Sequence, residues 1–550
     1  MDLTRGGQEA GAMEKEILAN IATASTQDVG RVLDVRDYAA GDGSDQTSQI
    51  ISFFDAAQDG DTLLFTSGHY KVVKSGWFYT FLGRKVNIVG SPGAVLEVSD
   101  QGIRVDSSDY VHVDGLNLRR TSQAPWGHAK TGLHVRESNN VMIENCDIAK
   151  FTDAVWLRGP KDGGFTRNNV VRNNVFHELG EEGVVMEVNL EYILVSGNDI
   201  SRHLGDGILL KGTRHALITN NFVHSAVQKT DPDFITYSGG STSSVLPSAG
   251  GGIACNSETG ENGAKAVYVN GNVVRDVGYG ISLTGFYGAW ISDNHVQNIS
   301  KSAGISVAFL SSIYNPDNVP NHLFVISSNI VESITNSGMT TAIEAISIQG
   351  TAGMDTGVIA NNIVVPRGNH WGIQAKGNII VQNNHISEAG ISLNLSDGVV
   401  ASGNIVRPAH TSAPSDRSVH LGSYVVFTSN AVEGSGTTIK ISGKNNVITG
   451  NMLKYTGKWW AVSFEGIAQT DGGNIFKDNM LESPATADGR VLYDKITPTK
   501  AKNIVIDTIK DAQGALHQAY QGIALRSPDW KYWAISVDNT GTVMASPIVL

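Results

Sequence analysis

The chain has 550 residues, 61 of them glycine, and only 17% carry charge, which excludes a helical bundle or coiled coil; 41% hydrophobic residues exclude a disordered chain. Forty-one basic against 53 acidic side chains leave a net charge of −12, which repels phosphate and disfavours nucleic acid or an anionic membrane as the main partner. No apolar run is long enough to cross a bilayer, and two cysteines, Cys146 and Cys255, supply neither a disulfide framework nor a metal motif, so no cofactor or metal is expected.

Met1-Asp2-Leu3-Thr4-Arg5 lacks the basic-then-apolar order of a secretory signal, so the chain is expected to stay in its cell or leave by another route. Residues 1–28 read as a helical or attachment segment, with the helix over Glu9–Ala24. A capping region and the first coils are expected over 29–100. There Val35-Arg36-Asp37-Tyr38 runs through Asp42-Gly43-Ser44-Asp45 to Thr47, with Ser44 or Asp45 placed as an N-cap. The apolar spacing of Ile50, Ile51, Phe53, Phe54 and Ala57 predicts a short helix, which would cover the hydrophobic end of an open solenoid.

From 101 to 495 a repeat takes over. Its unit reads apolar, any, apolar, any, small, Asn, any, apolar, as in Val267-Tyr268-Val269-Asn270-Gly271-Asn272-Val273-Val274. The Asn recurs at 174, 198, 221, 272, 294, 329, 362, 384, 404, 430, 451 and 479, about 28 residues apart on average, with Leu116 and Cys146 in the same column earlier. A second motif follows, typically six to ten residues on: small, apolar, any, apolar, as at Gly183, Gly207, Gly280, Gly304 and Gly390. Both motifs have period two, so each repeat supplies at least two short strands and no helix. The fold this predicts is all-β, a single-stranded parallel β-helix with equivalent strands about 4.8 Å apart and a structural Asn ladder in the bend. Propellers need about four strands per 40 to 45 residues and leucine-rich repeats a Leu consensus; neither pattern is present.

Setting Gly132, Ala154, Gly183, Gly207, Gly252 and Gly280 in register turns the sequence into columns. Leu133, Val155, Val184, Ile208, Ile253 and Ile281 form one core column. The column before the small residue reads Thr131, Asp153, Glu182, Asp206, Gly251, Tyr279, and the column four after it reads Arg136, Arg158, Glu187, Lys211, Asn256, Thr284. Both are read as outward-facing. Carboxylates one or two rungs apart, about 4.8 or 9.6 Å, fall near the separations that glycoside hydrolysis uses. Glu182 and Asp206 are therefore the expected catalytic pair, with Asp153 or Glu187 as substitute; the competing reading is a solvated ladder of cross-strand ion pairs.

Arg136, Arg158, Lys211, His134 and Trp156 are the expected substrate-binding residues on the same coils. His112, His128, His177, His203, His215 and His224 are concentrated in this region too. The long step from Asn221 to Gly252 inserts Lys229–Tyr237, a wall or lid that would bring Tyr237 to substrate. Asp231, Asp233, Glu258 and Glu261 could gather Ca²⁺, although no ligand spacing supports it, and Trp126, Trp371, Trp459 and Trp460 could stack on sugars. Residues 496–550 read as a small C-terminal β module, with a hairpin turning at Asn539-Thr540-Gly541.

At Val35–Thr47 the chain resembles the pectate-lyase-like superfamily of right-handed parallel β-helix proteins, most of all bacteriophage tailspike polysaccharide depolymerases. Ala39 stands where that opening usually has Gly, and one or two residues are missing before Asp45. The resemblance implies a right-handed coil and an enzyme that binds and cleaves a bacterial surface polysaccharide: capsule, exopolysaccharide or O-antigen. It implies a homotrimer on the virion tail, with other tail proteins as possible partners, or else a chain secreted without a recognisable signal. Glycoside hydrolysis is the expected chemistry. One alternative is β-elimination on a uronic-acid polymer, with Arg136, Arg158 or Lys211 neutralising the uronate; the other is a non-cleaving adhesin.

Overall fold

In a computed structural model the chain is a parallel β-helix. The structure describes residues 5–25, 30–240, 250–256, 265–284, 286, 288–308, 322–334, 343–349, 355–367, 370–407, 417–434, 437–455, 462–464, 473–482, 492–494, 504–510, 516–519, 525–526, 532–537 and 543–548. It divides into two compact units, Met1–Asn329 with Thr335–Met339, and Ile330–Ile334 with Thr340–Leu550.

In the first unit each coil has three sides. One stacks strands such as Thr131–Arg136 and Asp153–Arg158, the second Val141–Glu144 and Thr166–Arg172, the third Asp147–Ala149 and Val175–Leu179. All these pairs are parallel and run rung to rung. In the coils Val184–Ser196 and Asp206–Thr219 the first two sides fuse into one long strand, with a register break between Glu187 and Leu190. Alternate residues point inward, and Leu133, Val155, Val184, Ile208, Ile253 and Ile281 stack into a fully buried aliphatic column. Burial of each such side chain contributes about 1.5–3 kcal/mol.

The bend between the second and third sides holds the Asn ladder. Asn174, Asn198, Asn221 and Asn272 each donate Nδ2 to the Oδ1 of the next Asn at 2.9, 2.9, 3.0 and 2.9 Å. Each also bonds backbone that would otherwise be buried unpaired: Asn221 donates to Val195 O and accepts from Asn198 N. Cys146, in the same column, gives its backbone N–H to Asn174. Residues flanking this bend, such as Asn173 and Asn220, take φ near +55°, a conformation asparagine tolerates better than other non-glycine residues.

Helices cover two faces of the first unit. α1 (Arg5–Ser25) starts four residues before the expected Glu9 and lies along the coil, burying Ala10, Met13, Ile17 and Ile21 against an outward apolar column of Val170, Leu194, Leu217 and Tyr268. Glu9 accepts from Tyr268 Oη at 2.9 Å, and Asn20 bonds Asn168. α2 (Thr47–Asp55) covers the first coil. Its N-cap is Gln46, not Ser44 or Asp45, and no side chain caps it; Asp45, one residue earlier, accepts from the N–H and hydroxyl of Thr47, and Phe53 and Phe54 pack edge-on against Phe65 and Phe78 at 5.4 and 5.1 Å between centroids.

The second unit repeats the plan. Its ladder runs Asn362, Asn384, Asn404, Asn430, Asn451, Asn479, and a second short ladder joins Asn446 to Asn474 at 2.9 Å, which the repeat alone did not single out. Ile504–Lys510 still pairs in parallel with Ile475–Glu482, so coil-type pairing extends beyond the expected limit at 495. Leu525–Arg526, Tyr532–Val537 and Val543–Ile548 form a separate antiparallel sheet, the last two pairing as a hairpin whose turn lies outside the described residues.

Candidate functional site

The strand pairing reproduces the column alignment. Thr131 pairs with Asp153; Ala154 N and Gly183 N bond Glu182 O and Asp206 O on successive rungs; Asp206 pairs with Gly251, and Gly252 N bonds Tyr279 O. A Cβ on Gly207 or Gly252 would meet the core side chains of Val223 or Val274, so the position just before the glycine faces away from the core.

Facing outward has not left these carboxylates in solvent. Asp153, Glu182 and Asp206 are 6%, 9% and 8% exposed. Asp153 and Glu182 are hydrogen bonded to each other, and with Glu181 they place one carboxylate oxygen each within 4.8 Å of the other two. Burial, together with the charge of Asp153, holds Glu182 protonated well above the usual carboxyl range. Burial and Asp153 likewise push Glu181 up to about 7. Asp206 is pushed up to about 6 by burial, but Tyr279 donates its hydroxyl to Oδ1 and Lys211 adds a positive field, and both favour its anion. Gly251 makes this contact possible: a Cβ there would overlap both Asp206 Oδ1 and the Tyr279 ring.

Two segments without the repeat stand beside the carboxylates. The loop 121–130 gives Gly127 N–H to Glu181 Oε1 at 2.6 Å. The insertion after Asn221 forms α3 (Phe234–Ser238), whose Tyr237 is buried with Leu204 and Val227 and packs on Trp126; Trp126 N also bonds Tyr237 O at 2.7 Å. α3 ends at Gly239 with φ +62°, close against Pro125, where any other residue would be both strained and crowded. Tyr237 therefore braces this cover from inside and does not present its ring to a groove.

The other expected residues sort differently. Arg136 pairs with Glu137 at 2.8 Å and lies 3.8 Å from Asp106; Arg158 lies 3.6 Å from Glu187 and over the Trp156 ring. Glu187 also accepts from Trp156 Nε1 at 3.2 Å, which takes it out of the carboxylate cluster and into a ladder of cross-strand ion pairs. His134 is stacked between Trp77 and Trp156, at 5.4 and 4.8 Å, and burial pushes its imidazole down to about 3. The histidines do not converge: His112 bonds Glu144, His177 bonds Asp147, His224 bonds Asp199, and buried His203 bonds Gly251 O. Among the described residues, the groups able to hold a metal ion are Asp153, Glu181, Glu182 and His112, Asp114, Glu144. Asp233 is paired with Arg202 and Asp231 with Gln228 N, while Glu258, Glu261, Trp459 and Trp460 lie outside the described residues.

The column reading missed the roles of Glu181 and Tyr279. Tyr279 was in the carboxylate column but two rungs from Asp206, and Gly251 between them was the signal that its ring had room to reach. Glu181 sits in the bend, where period two does not apply; its only mark was the acidic pair in Gly180-Glu181-Glu182-Gly183.

The fold and this cluster together define a right-handed parallel β-helix carrying buried carboxylates on its outer face. A family model described as a right handed beta helix region matches residues 101–296. No curated protein matches the chain by sequence. Among solved structures it is similar to the catalytic unit of a GH87 α-1,3-glucanase from Streptomyces thermodiastaticus strain HF3-3 (12% identity, 89% of this chain and 72% of that one, TM-score 0.40). It is also similar to a family 28 exopolygalacturonase of Yersinia enterocolitica (11%, 67% and 79%, TM-score 0.45) and to PfbA, a surface adhesin of Streptococcus pneumoniae (14%, 94% and 98%, TM-score 0.34).

Proposed function

We propose that the protein is a polysaccharide depolymerase that hydrolyses glycosidic bonds with paired carboxylates. The observation that carries this reading is the divergence of two neighbouring acids: Glu182, sharing a hydrogen bond with Asp153, holds its proton, while Asp206, bonded by Tyr279, is the one favoured as an anion near neutral pH. Glu182 is the general acid that protonates the leaving oxygen. Asp206 is the nucleophile or the base that activates water, and Asp153 sets the proton on Glu182. β-Elimination has less support, because Arg136 and Arg158 are paired with carboxylates and are not free to neutralise a uronate. The substrate in this proposal is a bacterial surface polysaccharide and the carrier a phage virion tail with the chain as a homotrimer; that placement rests on the resemblance of Val35–Thr47. Incubation with a panel of capsular and O-antigen polysaccharides, followed by sizing and mass analysis, is expected to give shortened chains with saturated ends. Glu182→Gln or Asp206→Asn is expected to slow cleavage about 10³-fold or more. Unsaturated, UV-absorbing ends would replace this mechanism with elimination, and binding without shortening would leave an adhesin.

A further inference from the structure

In the second unit the strands Trp371–Lys376, Ile391–Ser396, Arg417–Leu421 and Thr437–Ile441 stack on one side of the coil, with Ile373, Leu393, Val419 and Ile439 buried inward. The next residue of each strand points outward, and this column reads Gln374, Asn394, His420, Lys440. Side-chain alternation brings Ser442 to the same face, two residues beyond Lys440. Here three half-buried side chains join across successive rungs. Ser442 Oγ lies 2.8 Å from His420 Nε2, and His420 Nδ1 lies 3.1 Å from Asn394 Oδ1. Oδ1 can only accept, so the imidazole proton sits on Nδ1, and Nε2 is left to take the proton of Ser442. Leu421 O, the other acceptor near Ser442 Oγ, is farther away at 3.4 Å. His224 also joins a serine and an acid, Ser225 and Asp199, but Ser225 is its own chain neighbour and that contact is local to one bend. Asn394, His420 and Ser442 instead come from three coils, 26 and 22 residues apart.

The turn after Ser442 is tied to the preceding rung. Lys444 N donates to Ser423 Oγ at 3.1 Å, Asn446 Nδ2 donates to Gly422 O at 2.8 Å, and Asn446 begins the second, short Asn ladder. Gly443 lies so close to Gly422 that an added methyl would overlap the Gly422 carbonyl. Gly443 is buried, and its N–H donates to no group among the described residues, which is rare for buried backbone.

We propose that Ser442 and His420, with Asn394 as a positioning residue, form a second catalytic centre, an esterase that removes short acyl groups such as acetyl from the hydroxyls of a polysaccharide. Ser442 Oγ attacks the ester carbonyl carbon while His420 Nε2 takes its proton. The carbonyl electron pair moves onto oxygen, where Gly443 N–H, one residue past the nucleophile, is the donor and Lys440 adds positive charge. As the carbonyl re-forms, the bond to the sugar oxygen breaks, and that oxygen leaves with the proton from His420. Water then attacks the acyl-serine and gives a proton to His420, which returns it to Ser442 Oγ as the acid departs. Ester and water become carboxylic acid and alcohol, with no other reactant consumed. Nearby outward groups suit a hydroxyl-rich alcohol: Ser396 stands on the Asn394 strand, and Gln374 keeps a buried Oε1 without a hydrogen-bond partner. Gly422, on the rung before Ser442, sets no side chain beside the hydroxyl, which leaves space for a small acyl group. That the alcohol is a sugar rests on the depolymerase reading; the ester chemistry does not.

A fluorophosphonate, which phosphorylates activated serines with loss of fluoride, is expected to label the native chain once, on the peptide holding Ser442, and to fail after His420→Gln. Hydrolysis of p-nitrophenyl acetate should fall about 10²-fold or more in Ser442→Ala. Asn394→Asp keeps the acceptor and adds a charge that favours the imidazolium, so it should speed this hydrolysis severalfold, whereas Asn394→Leu should slow it at least tenfold. No label on Ser442, or an ester rate untouched by Ser442→Ala, overturns the proposal; equal rates in the two Asn394 variants overturn the part given to Asn394. The labelling needs no variant, so it decides even if a substituted chain misfolds. Release of acetate from an O-acetylated capsular polysaccharide supports the sugar ester, and hydrolysis of the nitrophenyl ester alone overturns that choice of substrate. Glu182→Gln, which should stop chain cleavage, is expected to leave the label on Ser442 intact, so failure of either reading shows without the other.

Discussion

Asp206 and Glu182 sit one rung apart in similar burial, and what separates them is their company. Tyr279 donates to Asp206, whereas the nearest partner of Glu182 is another carboxyl group. Tyr279→Phe removes the donor, so the carboxyl of Asp206 should rise from about 6. The acid limb of the activity profile is expected to move to higher pH, with a loss of severalfold at pH 6 and little at pH 8; Gly251→Ala, which crowds the same contact, should act in the same direction. Rates of reducing-end release against pH check both. Stability carries a second signature. Folded Glu181 and Asp206 keep protons to about 7 and 6, against ordinary values of 4.5 and 3.8, so between these limits the native state binds more protons than the unfolded one. Their contribution is therefore full at low pH and is lost as pH rises through 6 and 7. Neutral His134 and His203 act oppositely, losing stability as pH falls below 6.5. Glu181→Gln with Asp206→Asn leaves the histidines alone, so the native protein should lose stability relative to this variant from about pH 4 to 8 in denaturant titrations.

Elements were legible where period spoke. The register of Arg136, Arg158, Glu187 and Lys211, or of His134 and Trp156, follows from side-chain alternation, because a one-residue slip would turn the aliphatic column out into water. The cover over the carboxylates was legible only as an insertion. Loop 121–130 and α3 have no period, and their pairing through Trp126 and Tyr237 is a tertiary contact between segments about a hundred residues apart. The docking of α1 was hidden likewise: its apolar spacing showed a helix, but nothing in residues 1–28 names Leu194 or Tyr268 as the surface beneath. Ile17 is fully buried there, so Ile17→Asp should release α1 and speed tryptic cleavage after exposed Lys15 while the strand signal in circular dichroism stays unchanged. In the ladder, Asn221→Ala removes the side-chain partner of Asn198 N and of Val195 O and leaves Asn198 Nδ2 only its bond to Val171 O, and a loss of about 3 kcal/mol is expected in chemical unfolding.

At the scale of the whole molecule, a solenoid spreads such damage only to neighbouring coils. Hydrogen exchange of Asn221→Ala should quicken in the strands around Val195 and Ile218 and remain native in Arg417–Leu421 and Thr437–Ile441 of the second unit; uniform acceleration would mean one cooperative block. The alternation of inward and outward residues has a further consequence, for the history such a protein can have. Leu133, Val155, Val184 and Ile208 hold the coil, while Thr131, Asp153, Glu182 and Asp206 beside them contribute nothing to that column, so selection can rewrite the outer set for a new substrate without renegotiating the scaffold. Freedom ends at the glycines between the two sets. At Gly183, Gly207, Gly252 and Gly280 a single added methyl would press on the core or on the next rung's backbone, so lineages that diverge everywhere else on this face should still share those four silent positions.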